Sequence, residues 1–195
     1  QGSDDTQNEA HAGNLLGLRQ HGFINSIGLE MYIKLLNGEI DRIKGRSGAA
    51  ELPEPKMDVL VPAFIPEDYV GDDMERLNFY KKLLNAKEQE LPGLLKDFED
   101  ISGPAPEQLG NLVELIRLKK VLAKRLVRSV TQRGEELEIF FLQGAQVPPK
   151  AISGWRKVFG GRLSFLPSRS GDGIKISGVT EPLSDISLAA GVLEA

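Results

Sequence analysis

Segments of helical period fill the middle of this chain and segments of strand period follow them, a segregation that limits the fold more than any other feature. In residues 75–85, Leu77, Tyr80, Lys81 and Leu84 keep helical register, which predicts a first helix. Residues 87–101 predict a second, with Pro92 tolerated near its first turn. Pro104 and Pro106 mark a break, and Pro106 suits the first turn of a third helix running to about Leu126. The character then changes. Residues 127–132 and 136–142 read as strands joined by Arg133-Gly134-Glu135, and 162–166 and 174–177 as strands around the Gly171-Asp172-Gly173 turn. A short helix is expected over 148–159 and a closing one over 181–193, with Thr180 as its N-cap. Residues 57–64, rich in Val and Leu up to the Pro62 and Pro66 punctuation, read as a strand ahead of the helices, and 65–70 as a turn. Helices grouped before most of the strands imply an α+β domain, with helices packed on a small mixed sheet, rather than a doubly wound one.

Upstream, Ile24, Ile27, Met31, Leu35, Ile40 and Ile43 share a helical face, although Asn37-Gly38 weakens it. The run Lys-Gly-Arg-Ser-Gly-Ala-Ala-Glu-Leu-Pro-Glu-Pro that follows breaks both helix and strand. The expected organisation is therefore a disordered or tag-derived lead over 1–12, a helical appendage over 13–45, a linker over 46–56 and a compact domain over 57–195. At 195 residues, against ~150 for a typical domain, this is one domain with a short appendage.

Composition removes whole classes of chemistry. There is no cysteine, so disulfides, Cys-ligated zinc and thiol nucleophiles are excluded, and only His11 and His21 could supply imidazole. No apolar run approaches the ~20 residues of a membrane span, and a soluble, cytoplasmic chain is expected. No Gly-Lys dipeptide occurs, so a phosphate-cradling loop is missing and no catalytic, cofactor or metal residue is assigned. A serine nucleophile would need a base from the appendage, where both histidines read as solvated or packing residues. Asp97, Glu99 and Asp100, near Glu88 and Glu90, lack the loop spacing of an oxygen-ligated metal site and read as a solvated helix end.

The net charge of −4 argues against a dedicated nucleic-acid coat but permits a local basic patch. Residues 115–133 hold seven cations and no carboxylate. At 100° per residue Arg117, Lys124 and Arg128 fall on one stripe, able to meet phosphates or an acidic partner, or else to balance the acidic segment before it. Aromatic residues are 6% of the chain, and none interleave here for base stacking.

Three blocks carry a resemblance. Gly13-Asn14-Leu15-Leu16-Gly17-Leu18-Arg19-Gln20-His21-Gly22-Phe23-Ile24 continues into Ile27-Gly28-Leu29-Glu30-Met31-Tyr32 and Leu35-Leu36. Val61-Pro62-Ala63-Phe64-Ile65-Pro66-Glu67-Asp68-Tyr69-Val70 precedes Arg76-Leu77 and Tyr80-Lys81. Gly103-Pro104-Ala105-Pro106 precedes Asn111-Leu112 and Leu118-Lys119. In order and spacing they resemble the bacterial transcription-repair coupling factors, over residues 13 to about 122.

The resemblance implies that the first block is the end of the family's translocation motif, with Gly13, Gly17, Gln20 and Gly22 matching its glycines and glutamine. Glycines let a loop backbone approach closely, and glutamine both donates and accepts. Ala10 and His11 stand where the family has Arg-Gly. Glu99-Asp100-Ile101-Ser102-Gly103 stands where it has Asp-Arg-Phe-Gly, so the arginine is missing.

The remainder resembles the family's C-terminal regulatory domain, which packs on the parent's N-terminal repair-protein-like region and hides the surface that recruits the damage-recognition ATPase of nucleotide excision repair. RNA polymerase and DNA are then indirect partners. ATP and Mg belong to the parent motor, and this chain takes no cofactor and is no enzyme alone. Glu88, Glu90, Arg117, Lys124 and Arg128 are the candidate interaction surface. The alternative is a nucleic-acid-binding domain using the basic stripe; a stand-alone hydrolase ranks far below both.

Overall fold

A computed structural model describes residues 53–193. The expected lead, the appendage with its translocation-motif residues, and most of the linker lie outside the described residues.

The described chain forms a two-layer α+β domain. Strand β1 (Lys56–Asp58) is followed by α1 (Asp73–Asn85), a 3-10 turn over Glu88–Glu90, α2 (Leu91–Ser102) and α3 (Glu107–Lys124). Then come β2 (Val127–Arg133), β3 (Glu136–Phe141), α4 (Pro149–Phe159), β4 (Leu163–Leu166), β5 (Gly173–Ser177) and α5 (Pro182–Val192). The sheet order is β1-β2-β3-β5-β4; β1 runs parallel to β2 and every other pair is antiparallel, so the sheet is mixed as expected.

Period-2 alternation decides which face is covered. Val130, Leu137, Ile139, Phe141, Ile174 and Ile176 are buried beneath the helices. Their neighbours Thr131, Glu138, Phe140 and Lys175 line the opposite, half-exposed face. Trp155 of α4 lies against Phe141, ring centroids 5.8 Å apart, and its indole N–H donates to the Ala189 carbonyl of α5 at 2.9 Å. The helices join the same core through Leu83, Leu91, Phe98, Leu112, Leu118 and Leu122, with Phe79 of α1 stacked on Phe98 of α2 at 4.0 Å.

Local chemistry accounts for the helix ends. Asp72 caps α1 by accepting from the Glu75 N–H at 2.8 Å, and Asp73 and Glu75 add negative charge to that first turn. Pro92 sits at the start of α2, and Gly103 ends that helix with φ of +89°. Gly171 is needed in the β4–β5 turn. Its φ is +119°, and a Cβ there would stand 2.2 Å from the Phe141 carbonyl oxygen.

The structure corrects four expectations. The first strand ends at Asp58 instead of reaching residue 64, because the Val61 N–H turns back to the Val59 carbonyl at 3.0 Å and Pro62 brings no donor. The chain then leaves the sheet to cross the helices. Helix α3 stops at Lys124, and Leu126 takes φ of +56°, the left-handed conformation that turns the chain into β2. Arg128 therefore lies on a strand, and the three-residue helical stripe does not form. Thr180 does not cap α5; Glu181 occupies that position without a side-chain bond, and Pro182 opens the helix. Lys56, the last residue assigned to the linker, belongs to β1.

Candidate functional site

The crossing segment of residues 61–70 is held by side chains of α1 and α3 and by backbone carbonyls of α3 and of Gly103 at the end of α2. The Asn111 side-chain amide donates to the Pro62 carbonyl at 3.0 Å, and the Phe64 N–H donates to the Gln108 carbonyl at 3.2 Å. The buried Tyr80 hydroxyl accepts the Ile65 N–H at 2.8 Å. The Tyr69 hydroxyl donates to the Gly103 carbonyl at 2.8 Å. Burial, and then the nearby Glu99 carboxylate, push the Tyr69 phenol above its ordinary value.

Arg76, only 3% exposed, completes this arrangement. Its guanidinium donates to the Val70 carbonyl at 2.6 Å, pairs with Asp73, and lies 3.9 Å from Glu67. Tyr69, Arg76, Tyr80, Gly103 and Asn111 all come from the second and third blocks. Those blocks thus encode a polar lock that satisfies the backbone of an irregular segment, which must otherwise bury unpaired groups. Periodicity could not reveal this lock, since Arg76 and Tyr80 read simply as helix positions.

The candidate interaction residues form a charge network. Lys124 Nζ pairs with Glu88 Oε2 at 2.8 Å, and Arg117 Nη1 lies 4.0 Å from Glu88 Oε1. Arg117 also grips Glu114 through two 2.8 Å bonds and reaches Ser187 Oγ of α5 at 3.3 Å. Glu90 bends back to accept the Lys87 N–H at 2.7 Å, capping its own turn. Arg128 stands apart, donating to the Ser170 carbonyl at 2.8 Å with its guanidinium 5.4 Å from the Phe140 ring. Lys119 pairs with Glu54 at 3.2 Å, and Lys120 donates to the Leu84 carbonyl at 3.3 Å. Much of the basic stretch therefore answers carboxylates and carbonyls of its own fold.

A second buried polar anchor has no counterpart among the expected sites. Asp185 of α5, 6% exposed, takes two bonds from Arg162, at 2.5 and 3.3 Å. Arg162 also donates to the Ser177 and Gly178 carbonyls at 2.7 and 3.1 Å, fixing α5 to the end of β5. On the open sheet face the Glu136 carboxylate accepts from Lys175 at 2.8 Å, which holds that ammonium above its usual range. Asp97, Glu99 and Asp100 are exposed on α2. Among the described residues, no cluster of three or more His, Asp or Glu could hold a metal ion. Nor is any described helix long and apolar enough to cross a membrane. Gly13, Gly17, Gln20 and Gly22 lie outside the described residues, as do His11 and His21.

The arrangement defines a class: a small α+β domain whose charged and polar groups tie helices, crossing segment and sheet together. The sequence profile of the TRCF domain matches residues 59–152. The chain is 33% identical over 142 residues to the transcription-repair-coupling factor of Borreliella burgdorferi, covering 72% of this chain and 12% of that protein. It is 39% identical over 109 residues to that of Myxococcus xanthus, covering 55% and 9%. The Bacillus subtilis factor is 33% identical over 122 residues, covering 62% and 10%. A crystal structure of the C-terminal domain of transcription-repair coupling factor superposes with a TM-score of 0.65 at 16% identity, covering 72% of this chain and 92% of that one. The chain belongs to the transcription-repair coupling factor family, as a C-terminal region. It spans about a tenth of the length of these curated relatives.

Proposed function

We propose that this domain is a regulatory docking module of a transcription-repair coupling factor, masking the surface by which its parent recruits the damage-recognition ATPase of excision repair. The observation that supports this reading is a coupling-factor C-terminal fold that carries exposed charged groups on its helices. Lys124 at the end of α3 is 64% exposed, and Glu90, Asp97 and Asp100, in or just before α2, are exposed as well. A contact that must open again is better made from such groups than from a core-like apolar surface. The Gly-, Ser- and Pro-rich sequence ahead of β1 tethers the domain to the parent, so that modest affinity suffices for masking.

The partner in this reading is the parent's own repair-protein-like region, with RNA polymerase and DNA acting indirectly. ATP and Mg are used by the parent motor, and the isolated chain turns over no ATP with or without DNA. Deleting residues 57–195 from the parent should raise both its affinity for the repair ATPase and its DNA-dependent ATP turnover. Reversing Glu90 and Lys124 should do so partially. An unchanged affinity and turnover after the deletion overturns the masking role.

A further inference from the structure

Among the described residues strand β4 closes one end of the sheet and pairs only with β5; the Leu163 N–H donates to the Gly160 carbonyl, and the outward N–H and C=O of Phe165 are left open on the edge. Its surroundings are unusual in charge. No Asp or Glu occurs between Glu138 and Asp172, whereas Lys150, Arg156, Lys157, Arg162 and Arg169 fall in that run. Arg162 is committed to Asp185, but Arg156 and Lys157 are exposed on α4, the helix that packs beside β4. Two apolar side chains sit with them: Val158 is 45% exposed and Phe165 of β4 is 40% exposed. The Arg156 guanidinium lies over the Phe165 ring, 5.4 Å from its centroid, which holds the cation at the strand edge.

We propose that the β4 edge is a docking site for an acidic, extended peptide segment of a protein partner, which adds to the sheet as a sixth strand. An open edge supplies main-chain hydrogen bonds, and the α4 cations supply the choice of partner. Phe165 and Val158 offer apolar contact to alternate side chains of the incoming strand. A second copy of this domain is excluded as occupant by its own cations, which would meet their equivalents across the new pair. A nucleic acid is disfavoured because Phe165 is a single exposed ring at this edge, whereas a strand of bases stacks on successive aromatic platforms.

The test is nuclear magnetic resonance titration of the full chain with a capped peptide of alternating Glu and Val. A Lys-Val peptide of equal length and a short DNA duplex serve as comparisons. Saturable binding of the Glu-Val peptide should shift amides of residues 156–166, and neither comparison ligand should do so. The exposed double variant Arg156→Glu with Lys157→Glu should keep the wild-type circular dichroism and melting temperature and weaken the peptide by about tenfold. Phe165→Pro, which removes the outward-facing backbone donor of β4 without changing charge, should weaken it as well. The proposal fails if the acidic peptide does not bind or its shifts lie elsewhere. It fails equally if the charge variant binds as tightly as wild type, or if the duplex competes at the same amides. Protection of the outward Phe165 amide from hydrogen exchange in the free chain would also overturn it, because the edge would already be filled by other residues of the chain.

Discussion

The Tyr80 hydroxyl of α1 accepts the Ile65 backbone N–H at 2.8 Å in a buried setting, fifteen residues away along the chain. This bond fixes where the crossing segment lies, because Ile65 itself is 3% exposed and packs into the core on the same turn. Tyr80→Phe keeps the ring and removes the hydroxyl, taking the acceptor away from the buried Ile65 N–H. It is expected to cost about 1–3 kcal/mol. Urea unfolding should show a lower midpoint with unchanged slope, and a midpoint equal to wild type would show that Ile65 needs no such partner.

Tyr69 provides a pH-dependent readout of the same segment. Its phenol is raised above the ordinary 10.0 in the folded state, so the folded chain holds its proton more tightly than the unfolded chain does. The resulting stability is fully present below the ordinary value and is lost as pH rises through the higher folded one. Tyr69→Phe should lower stability at neutral pH by about 0.5–1.5 kcal/mol for the lost bond to Gly103. The gap between variant and wild type should shrink at alkaline pH, measured by thermal melts from pH 8 to 11. A gap that widens over that range contradicts the assignment.

Glu88 is the shared partner of Arg117 and Lys124, so it tests whether those cations can serve nucleic acid. The pairs are partly exposed, and Glu88→Gln should change stability by no more than about 1 kcal/mol. The wild-type chain should bind duplex DNA only at low salt, and the variant should bind more tightly by fluorescence anisotropy, with a steeper salt dependence. Submicromolar wild-type binding at physiological salt would instead favour the nucleic-acid reading.

Gly171→Ala should be among the most damaging single-atom additions. The left-handed backbone is strained for alanine, and the new methyl would meet the Phe141 carbonyl. A loss of about 1–3 kcal/mol is expected. Gly110, whose Cβ would meet nothing within 4 Å on α3, is the control: Gly110→Ala should stabilise by about 0.4–1 kcal/mol. Chemical denaturation of the two variants side by side checks both signs.

Local periodicity and punctuation made the five helices and the antiparallel strands readable. A helix end at Gly103, a hairpin at Arg133-Gly134-Glu135 and the Gly171 turn each depend on residues adjacent in sequence. The coupling-factor blocks were legible for the same reason, as fixed residue types at fixed spacing. Their purpose was not. Arg76 under Val70, Tyr80 under Ile65 and Asn111 under Pro62 are contacts between segments that no helical wheel aligns. The basic stripe failed at Arg128 because the helix ends at Lys124 and a left-handed Leu126 turns the chain into β2, the strand already legible over 127–132. The acid-free run after Glu138 was present in the sequence all along. It acquired meaning only when the sheet order left β4 at an edge and set Arg156 over Phe165 beside it. Sequence determines the elements because their forces act within a few residues. Only the assembled domain decides which charges are neutralised and which edge stays open, because those depend on neighbours far apart in the chain.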